Sequence, residues 1–418
     1  MNIPRHCPGW PLAAALAASV LALPSQAASL TLAEALRLAE DNAPTLAAEQ
    51  AKLQAASSAA IPAGELPDPQ LRLGVQNYPV GGPDRWSIDR DFMTMQMVGV
   101  MQEMPNSAKR RARVEVADAA VERAAAESAV ERLSVRQATA LAWIDRLAVE
   151  RQQALFTDFI RENHLLAAAV QVQIAGGRGQ AADAVRPKQE AARLDEQQDQ
   201  LAQQHIRARA ALRRWIGVAA DQPLAGDWPE WPVDHARYGH QLPRHPALAA
   251  FEPMTREAQA KVREAQAEKK SDWSWELDYQ RRGREFGDMV SVQVSFDLPL
   301  FPGSRQDPKI AARHAELDQL EAEREALLRE HAQQLEEDLA EYQRLQRALH
   351  RNRDSFVPLA REKVELSLAS YRAGKGDLLS VITARQELIE TRLRQVELEA
   401  QGAKTAARLH FAYGEEHP

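Results

Sequence analysis

The chain has almost no cysteine: its 418 residues include one, Cys7. Arg5 precedes the apolar run "WPLAAALAASVLALP", and Ser25-Gln26-Ala27 follows it as a small-x-small pattern. These features predict a secretory signal peptide, residues 1–27, cleaved after Ala27. Cys7 would be removed with it. A mature chain without thiols suits an oxidising compartment and excludes disulfides and cysteine-held metals.

Other absences narrow the function classes. The formal net charge is −7, so no nucleic-acid partner is expected. The sequence contains no Ser/His/Asp set, HExxH motif or paired-cysteine motif, and we therefore predict neither an enzyme nor a cofactor. Beyond the predicted signal, no apolar run approaches the roughly 18 residues of a transmembrane helix.

What the chain does have is a duplication. Four landmarks recur in the same order at an offset of about 200 residues. They are "NAPTLAA" with "RHPALAA", "VGVMQEMP" with "VQVSFDLP", "QIAGGRGQAADAVRPKQEA" with "YRAGKGDLLSVITARQEL", and "AALRRWIG" with "AARLHFAYG". The landmarks predict a first repeat at 28–217, a linker at 218–243, a second repeat at 244–414 and a tail at 415–418.

Each repeat follows one plan of long helices, which suits a chain with 45% apolar and 27% charged residues. A helix (32–60 and 246–268, with Thr31 as N-cap) precedes two short alternating segments. A long helix (106–174 and 305–372), a glycine turn and a returning helix follow. A helix of this length spans on the order of 100 Å. We therefore predict that in each repeat the long helix forms a rod, and that the first and the returning helix lie beside it, stacked end to end as two half-rods.

The second long helix has a narrow apolar stripe. Such a stripe is typical of a coiled-coil seam whose other faces are exposed to solvent. The stripe residues are Ile310, Leu317, Leu320, Leu327, Leu335, Leu339, Tyr342, Leu345 and Leu349. Two interpretations stay open on the helices alone, a solvated coiled coil and a hollow helical tube. Pro187 and Pro358 lie within helical patterns and are predicted to mark bends.

Three short segments alternate between apolar and polar residues. "WSWELDYQ" places Trp273, Trp275, Leu277 and Tyr279 on one face, and "MVSVQVSFDLP" and "QLRLGVQNY" alternate likewise. Period-two segments of about ten residues are typical of transmembrane barrel strands, with tryptophans at the interface. The alternative is a soluble sheet packed on another element. With two such segments in each repeat, one chain would supply four strands. Four strands cannot close a conducting barrel, so we predict that three chains share 12 strands and 12 rods.

At this point the sequence resembles the TolC family of outer-membrane efflux ducts. The resemblance runs from "LTLAEALRLAEDNAPTL" through "VMQEMPNSAKRRARVEVADAAVERA" and "YRAGKGDLLSVITARQEL" to "FAYG". "GELPDPQLRLGVQNYP" and "MTMQMVGVMQEMP" are most similar to the CzcC-type branch, which serves heavy-metal pumps of the resistance–nodulation–division (RND) class. This resemblance implies a mainly α fold with a small transmembrane β part.

The resemblance also implies an assembly. It implies a homotrimer in outer-membrane lipid that extends into the periplasm, where it meets an adaptor protein linked to an inner-membrane RND pump. The duct would be passive and would export heavy-metal cations, or drugs and organic solutes in the alternative. From the residues alone, a soluble periplasmic coiled-coil scaffold remains the rival.

The two glycine turns would form the periplasmic tip, where the pore closes and the adaptor binds. The implied tip residues are Gly177, Gly179, Asp183, Tyr371, Gly374, Gly376, Asp377, Leu378, Ser380 and Thr383. Some family members carry carboxylate rings where this chain has Ser380 and Thr383, which leaves such a gate in doubt. Asp183, Asp377, Arg186 and Arg385 are interpreted as solvated tip charges.

The run "DFMTMQMVGVMQEM" places Met93, Met95, Met97 and Met101 on one face. Alternation alone directs the methionines to lipid, whereas matching the second repeat directs them to the lumen, and a bulge at Gly99 would change the phase. They are either structural filler or thioether contacts for a soft metal ion. Three histidines, His235, His240 and His245, lie in "VDHARYGHQLPRHP" and are interpreted either as a metal site or as part of a region that packs around the tube.

Overall fold

The computed structural model describes residues 29–177 and 179–414. The predicted signal peptide at 1–27, with Cys7 and the predicted cleavage site, lies outside the described residues, and so does the predicted tail at 415–418. The helices are α1 (Leu32–Asn42), α2 (Pro44–Ala60), α3 (Ser107–Ala175), α4 (Arg186–Ile216), α5 (His235–Gln241), α6 (Pro246–Ala249), α7 (Phe251–Ala267), α8 (Gln306–Arg351), α9 (Val357–Arg372) and α10 (Leu378–Leu409). The strands are β1 (Gln70–Gln76), β2 (Met95–Met104), β3 (Trp273–Arg281) and β4 (Met289–Phe296).

The described chain is mainly helical with one small sheet, as predicted. None of its helices combines enough length with enough apolar character to cross a membrane.

The first helix of each repeat is divided, which corrects the single helices predicted at 32–60 and 246–268. In the first repeat Ala43 is extended (φ −64°, ψ 120°) and Pro44 opens α2. The ring of a proline disfavours helical backbone in the preceding residue, and this explains the break. Thr31 caps α1 as predicted, since its Oγ1 accepts a hydrogen bond from the Glu34 amide at 3.2 Å.

The long helices fall close to their predicted bounds. The first, α3, is 69 residues long. The second consists of α8 and α9, joined by one wider π-type turn at Asn352–Phe356 just before Pro358. A proline cannot donate a backbone hydrogen bond, which accounts for the irregularity there. Pro187 lies instead in the first turn of α4, so the bend predicted at Pro187 within a helix was wrong.

Each long rod lies beside shorter helices, as predicted. The rod α3 packs against α1, α2 and α4, while α8 packs against α7 and α10, and α9 packs against α10. Two further contacts join the repeats, because α3 also packs against α7 and α10. The predicted stripe of α8 faces inward, with Leu335, Leu339 and Leu345 buried.

The largest core lies near the middle of the long rods. There Trp143 and Ile144 of α3 belong to one buried cluster with residues from the start of α1 and from the ends of α4 and α10. The buried guanidinium of Arg146 donates hydrogen bonds to the carbonyl oxygens of Ala220 (2.6 Å) and Gln222 (2.7 Å). These bonds satisfy a charge that would otherwise be costly to bury, and they hold the linker on the rod.

The four strands form one antiparallel sheet in the order β1-β2-β3-β4. Residues directly opposite in such a sheet share a face. Leu73 pairs with Val98, Val98 with Tyr279, and Tyr279 with Val290. The apolar residues of all four strands therefore form one continuous face, and this apolar face is largely exposed in the single chain.

Candidate functional site

The first glycine turn ends α3. The amide of Gly176 donates to the Val172 carbonyl and that of Gly177 to the Ile174 carbonyl, both at 3.0 Å. Gly177 has φ +73°, a left-handed conformation that other residues resist. Gly179 lies close to the end of α3, because a Cβ there would be 3.0 Å from Ile174 Cγ1.

The second glycine turn ends α9 with the same device. Gly374 has φ +70°, and its amide donates to the Tyr371 carbonyl at 3.0 Å. The amides of Lys375 and Gly376 then both donate to the Ser370 carbonyl. A Cβ on Gly376 would lie 2.7 Å from Ser370 Oγ. In each turn the first glycine provides the backbone angle and the second permits close approach to the preceding helix.

Both turns lie at the same end of the molecule. A hydrophobic cluster joins the end of α3 to the end of α9 and the start of α10. Its members are Leu166, Val170, Ile174, Leu368, Tyr371, Leu378, Val381 and Ile382. Burial raises the pKa of Tyr371, and the charge of Asp183 raises it further. The two turns therefore pack on one another through side chains of both repeats.

The two tip acids are capping groups, which corrects their interpretation as plain solvated charges. Asp377 is the N-cap of α10, and its Oδ1 accepts from the Ser380 amide at 2.8 Å. Hydrogen bonds from the Ser380 side chain and amide hold the pKa of Asp377 below its ordinary value. Asp183 belongs to a short 3-10 turn, Ala181–Ala184, and its Oδ2 accepts from the Gln180 amide at 3.1 Å.

Arg385 is a further correction, since it is no free tip charge. Its side chain is only 17% exposed, and its guanidinium pairs with the Glu162 carboxylate of α3 at 3.1 Å. One residue later, Gln386 Nε2 donates to Glu190 Oε2 of α4 at 2.7 Å. These bonds link α10 to both helices of the first repeat. Sequence reasoning missed the link because its partners are about 200 residues apart.

The surface of the tip mixes polar and apolar side chains. Ser380 and Thr383 are exposed on α10, whereas Leu378 is buried beneath them. Leu379 and Val185 are also exposed, one beyond each turn. Exposed apolar residues beside rigidly capped turns can contact another protein.

The sheet resolves which face carries the methionines. Met97 pairs with Gln280 and Met101 with Glu276, so Met95, Met97 and Met101 lie on the polar face. Val98 and Val100 share the apolar face with Val290 and Val292, as matching of the repeats had suggested. Met93 precedes β2 and is exposed.

No bulge occurs at Gly99, because β2 and β3 pair without interruption from Gln96 to Met104. Gly99 instead makes room for its cross-strand partner Asp278. A Cβ on Gly99 would overlap Asp278 Oδ1 and lie 2.9 Å from Asp278 Cγ. The glycine thus allows the Asp278 carboxylate to lie over β2.

The linker histidines do not converge. His235 and His240 are exposed, whereas His245 is buried with its ring centroid 4.1 Å from that of His331 in α8. Tyr413 packs against both rings, and burial raises its pKa to about 12. Within residues 29–177 and 179–414, no group of three His, Cys, Asp or Glu side chains is arranged to hold a metal ion.

Comparisons with known proteins agree with this architecture. Residues 238–415 match the model of a family described as "Outer membrane efflux protein". No curated protein matches the chain.

Similar solved structures cover nearly the whole chain. A membrane protein from Pseudomonas aeruginosa is 17% identical, with a TM-score of 0.80 over 92% of each chain. The outer membrane protein VceC from Vibrio cholerae is 19% identical, with a TM-score of 0.76 over 92% of this chain and 96% of VceC. CusC is 14% identical, with a TM-score of 0.78 over 91% of each chain. At such identities, the likeness establishes the fold.

Proposed function

We propose that this chain belongs to the TolC family and forms the outer-membrane exit duct of a tripartite efflux pump. The observation that carries the proposal is the exposed apolar face of the sheet. Leu73 and Val292, at its centre, are each 71% exposed. An exposed apolar sheet face of this kind must be covered by another apolar surface. Lipid suits four strands of 7 to 10 residues with the paired Trp273 and Phe296 at one end.

The sheet edges support pairing between copies of the chain, and we propose a homotrimer. In the described sheet β1 and β4 each pair on one side only. Unpaired strand edges are very costly in lipid, so β4 of one copy would pair with β1 of the next. Three copies would close a 12-strand barrel above a 12-helix tube. The polar face, which carries Arg72, Glu276 and Asp278, would line the lumen.

A matched pair of substitutions in β4 tests this arrangement. Val292→Lys would place a charge in lipid at a cost of about 2–4 kcal/mol. Gln293→Lys, on the neighbouring polar face, would meet water. We expect V292K to reduce recovery of trimer from the outer membrane, measured by membrane fractionation and native gels, and Q293K to be recovered like the wild type.

A soluble coiled-coil scaffold would behave differently. There both positions would be ordinary exposed sites, and both lysine variants would be tolerated alike. Equal recovery of the two variants, or wild-type protein in the soluble periplasmic fraction, would contradict the outer-membrane duct.

The paired glycine turns would form the closed periplasmic tip. Support comes from their packing on each other through the Tyr371 cluster and from the Arg385 link to Glu162. The exposed Leu379 and Val185 beside the turns suit contact with an adaptor protein. The chain would act as a passive conduit rather than an enzyme, with energy supplied by an inner-membrane RND pump through that adaptor.

Heavy-metal cations are the proposed cargo, on the resemblance to the CzcC-type branch. Deletion of the gene should sensitise cells to one or more of zinc, cobalt, cadmium, copper and silver, and the wild-type gene should restore tolerance. Sensitivity to organic solutes with unchanged metal tolerance would instead support the drug-duct alternative within the same fold.

A further inference from the structure

The helix that leads into the sheet has fewer neighbours in the first repeat than in the second. In the second repeat α7 lies between α3 and α8, and seven of its residues are buried. In the first repeat α2 holds the corresponding place but packs chiefly against α3. None of its residues from Pro44 to Ala60, all of which the structure describes, is buried. One side of α2 is therefore open where its counterpart is covered.

The sheet shows how the two repeats correspond residue by residue. The pair Leu73–Val98 of the first hairpin has Leu277–Val292 as its counterpart in the second. The offset is thus 204 residues on the first strand of each hairpin and 194 on the second. The landmarks "VGVMQEMP" and "VQVSFDLP" are separated by the same 194 residues. These offsets allow any contact of one hairpin to be transferred to the other.

The pairing of β2 with β3 inside the chain provides a pattern for the two open edges of the sheet. Shifted by the offsets, the pair Val100–Leu277 becomes Val294 of one copy opposite Leu73 of the next. Both of these side chains are apolar and exposed in the single chain. Apolar residues therefore meet apolar residues in this register, whereas a slip by one residue would bring apolar residues opposite polar ones.

An ion pair holds the β2–β3 seam where the strands meet the helices. Lys109, near the start of α3, contacts the Asp272 carboxylate with an Nζ–Oδ2 distance of 2.7 Å. The amide of Asn106 donates to the other carboxylate oxygen, Oδ1, also at 2.7 Å. Asp272 thus joins the start of the long helix of the first repeat to the first strand of the second repeat.

The counterparts of this ion pair lie at opposite edges of the sheet. The offset of 204 residues relates Asp272 to Asp68, and the match of "KRRARV" with "RQDPKI" relates Lys109 to Arg305. Asp68 and Arg305 are both exposed, and neither has an ion partner in the part of the chain that the structure describes. Three strand spacings, about 14 Å, separate the two edges, so one copy cannot pair these charges with each other.

We infer that Arg305 of one copy and Asp68 of the next form an ion pair that closes the seam between copies. In this seam Val294 lies opposite Leu73, and the start of α8 covers the open side of α2. The contact joins two different surfaces of the same chain, and head-to-tail contacts of this kind can close into a ring. The inference rests on the proposed duct, since it requires copies that join through β4 and β1.

Disulfide trapping tests the register, because the only cysteine lies in the predicted signal peptide. On the polar face the register places Gln293 opposite Gly74 of the next copy, and residues directly opposite in a sheet lie within disulfide reach. We expect Gly74→Cys/Gln293→Cys, oxidised in isolated outer membranes, to give covalent dimers and trimers on denaturing gels without reductant. The matched control, Gln76→Cys/Gln293→Cys, is shifted by two residues on the same face and should give about tenfold less.

Exchange of charges tests the ion pair. Asp68→Arg and Arg305→Asp each bring like charges together at every seam, so each single variant should leave about threefold less trimer than the wild type after the same heat step. Asp68→Arg combined with Arg305→Asp restores opposite charges and should recover the wild-type amount. Glu65→Arg with Arg305→Asp is the control, since Glu65 is also an exposed acid but has no place in the inferred pair. It should not recover.

The outcomes separate the seam from the duct. A trimer in the outer membrane that forms no disulfide in G74C/Q293C, or forms it equally in Q76C/Q293C, overturns the register and leaves the duct intact. A double charge exchange that fails to restore the trimer, or an equal rescue by the Glu65 variant, overturns the ion pair. Wild-type protein recovered as a monomer, or in the soluble fraction, defeats the duct itself.

Discussion

The two repeats reverse direction in the same way but support that reversal differently. Gly177 and Gly374 both take a left-handed backbone angle. In the second turn Asp377 caps α10 directly, whereas in the first a 3-10 turn, Ala181–Ala184, intervenes before α4. Duplication has thus kept the backbone angle of the turn and altered the start of the returning helix.

The closest packing also differs between the turns. A Cβ on Gly376 would press on Ser370 Oγ at 2.7 Å, and Ser370 Cβ lies only 3.1 Å away. A Cβ on Gly179 would first meet Ile174 Cγ1 at 3.0 Å. The second turn is therefore the less tolerant of side chains, and it is the one that Tyr371 and Arg385 connect to the first repeat.

The largest effect is expected from Gly374→Val with Gly376→Val. Valine at the left-handed position costs about 1 kcal/mol or more, and the second valine displaces Ser370. The sheet and long seams are remote from this change, so the trimer should assemble on native gels. Export should fall, measured as metal tolerance, or leak conductance should rise in planar bilayers.

Gly177→Val with Gly179→Val is the matched variant in the first turn. It should show the same defect in weaker form, because the end of the Ile174 side chain has more freedom to yield. Normal export and no leak in the second-turn variant would mean that the turns are simple loops, and a stronger defect in the first turn would reverse the ranking.

A smaller effect, on the pH dependence of stability, is expected from His331 near the middle of the second long helix. Burial lowers the pKa of His331 from its usual 6.5, while the charge of Glu330 opposes the shift. Its contribution to stability is complete above pH 6.5 and is lost as the pH falls through the folded pKa, because the unfolded chain takes up the proton first. The thermal midpoint should therefore be lower at pH 5.5 than at pH 7.5.

His331→Gln should reduce this difference between the two pH values. His350→Gln is the control, since His350 lies on the same helix with an 80% exposed side chain. An undiminished pH effect in H331Q would assign it to other groups.

The smallest effect is expected at Asp377. Asp377→Ala removes the acceptor for the Ser380 amide, whereas Asp377→Asn retains one. D377A should therefore loosen the first turn of α10, measured as faster amide hydrogen exchange there, with D377N near the wild type. Export should fall less than in the double valine variant. Equal exchange in all three proteins would show that the cap does not hold the turn.

Much of the fold was predictable because its signals are local. Helical spacing located α3 to within one residue at each end, and period-two alternation located the strands of the sheet. The break before Pro44 is also a local signal, because a proline restricts the backbone of the preceding residue, although the sequence analysis predicts one continuous helix at 32–60. The glycine turns were recognised as reversals because they repeat.

Less of the candidate site was predictable, because its contacts are long-range. Nothing local indicated that Arg385 would meet Glu162, or that His245 would stack near His331. Both pairs depend on α3 and α8 packing beside elements far along the chain. The capping roles of Asp183 and Asp377 were within reach of the sequence, because an acid beside the start of a helix is a local signal.

The sequence by itself determined the duplication, the long helices, the strands and the positions of the glycine reversals, since each depends on neighbouring residues. Only the tertiary structure decided which face the methionines occupy. In β2 methionine and valine alternate, so both faces have apolar character and local pattern cannot choose between them. The choice came from register: Val98 pairs with Tyr279, Met101 pairs with Glu276, and Gly99 leaves space for Asp278.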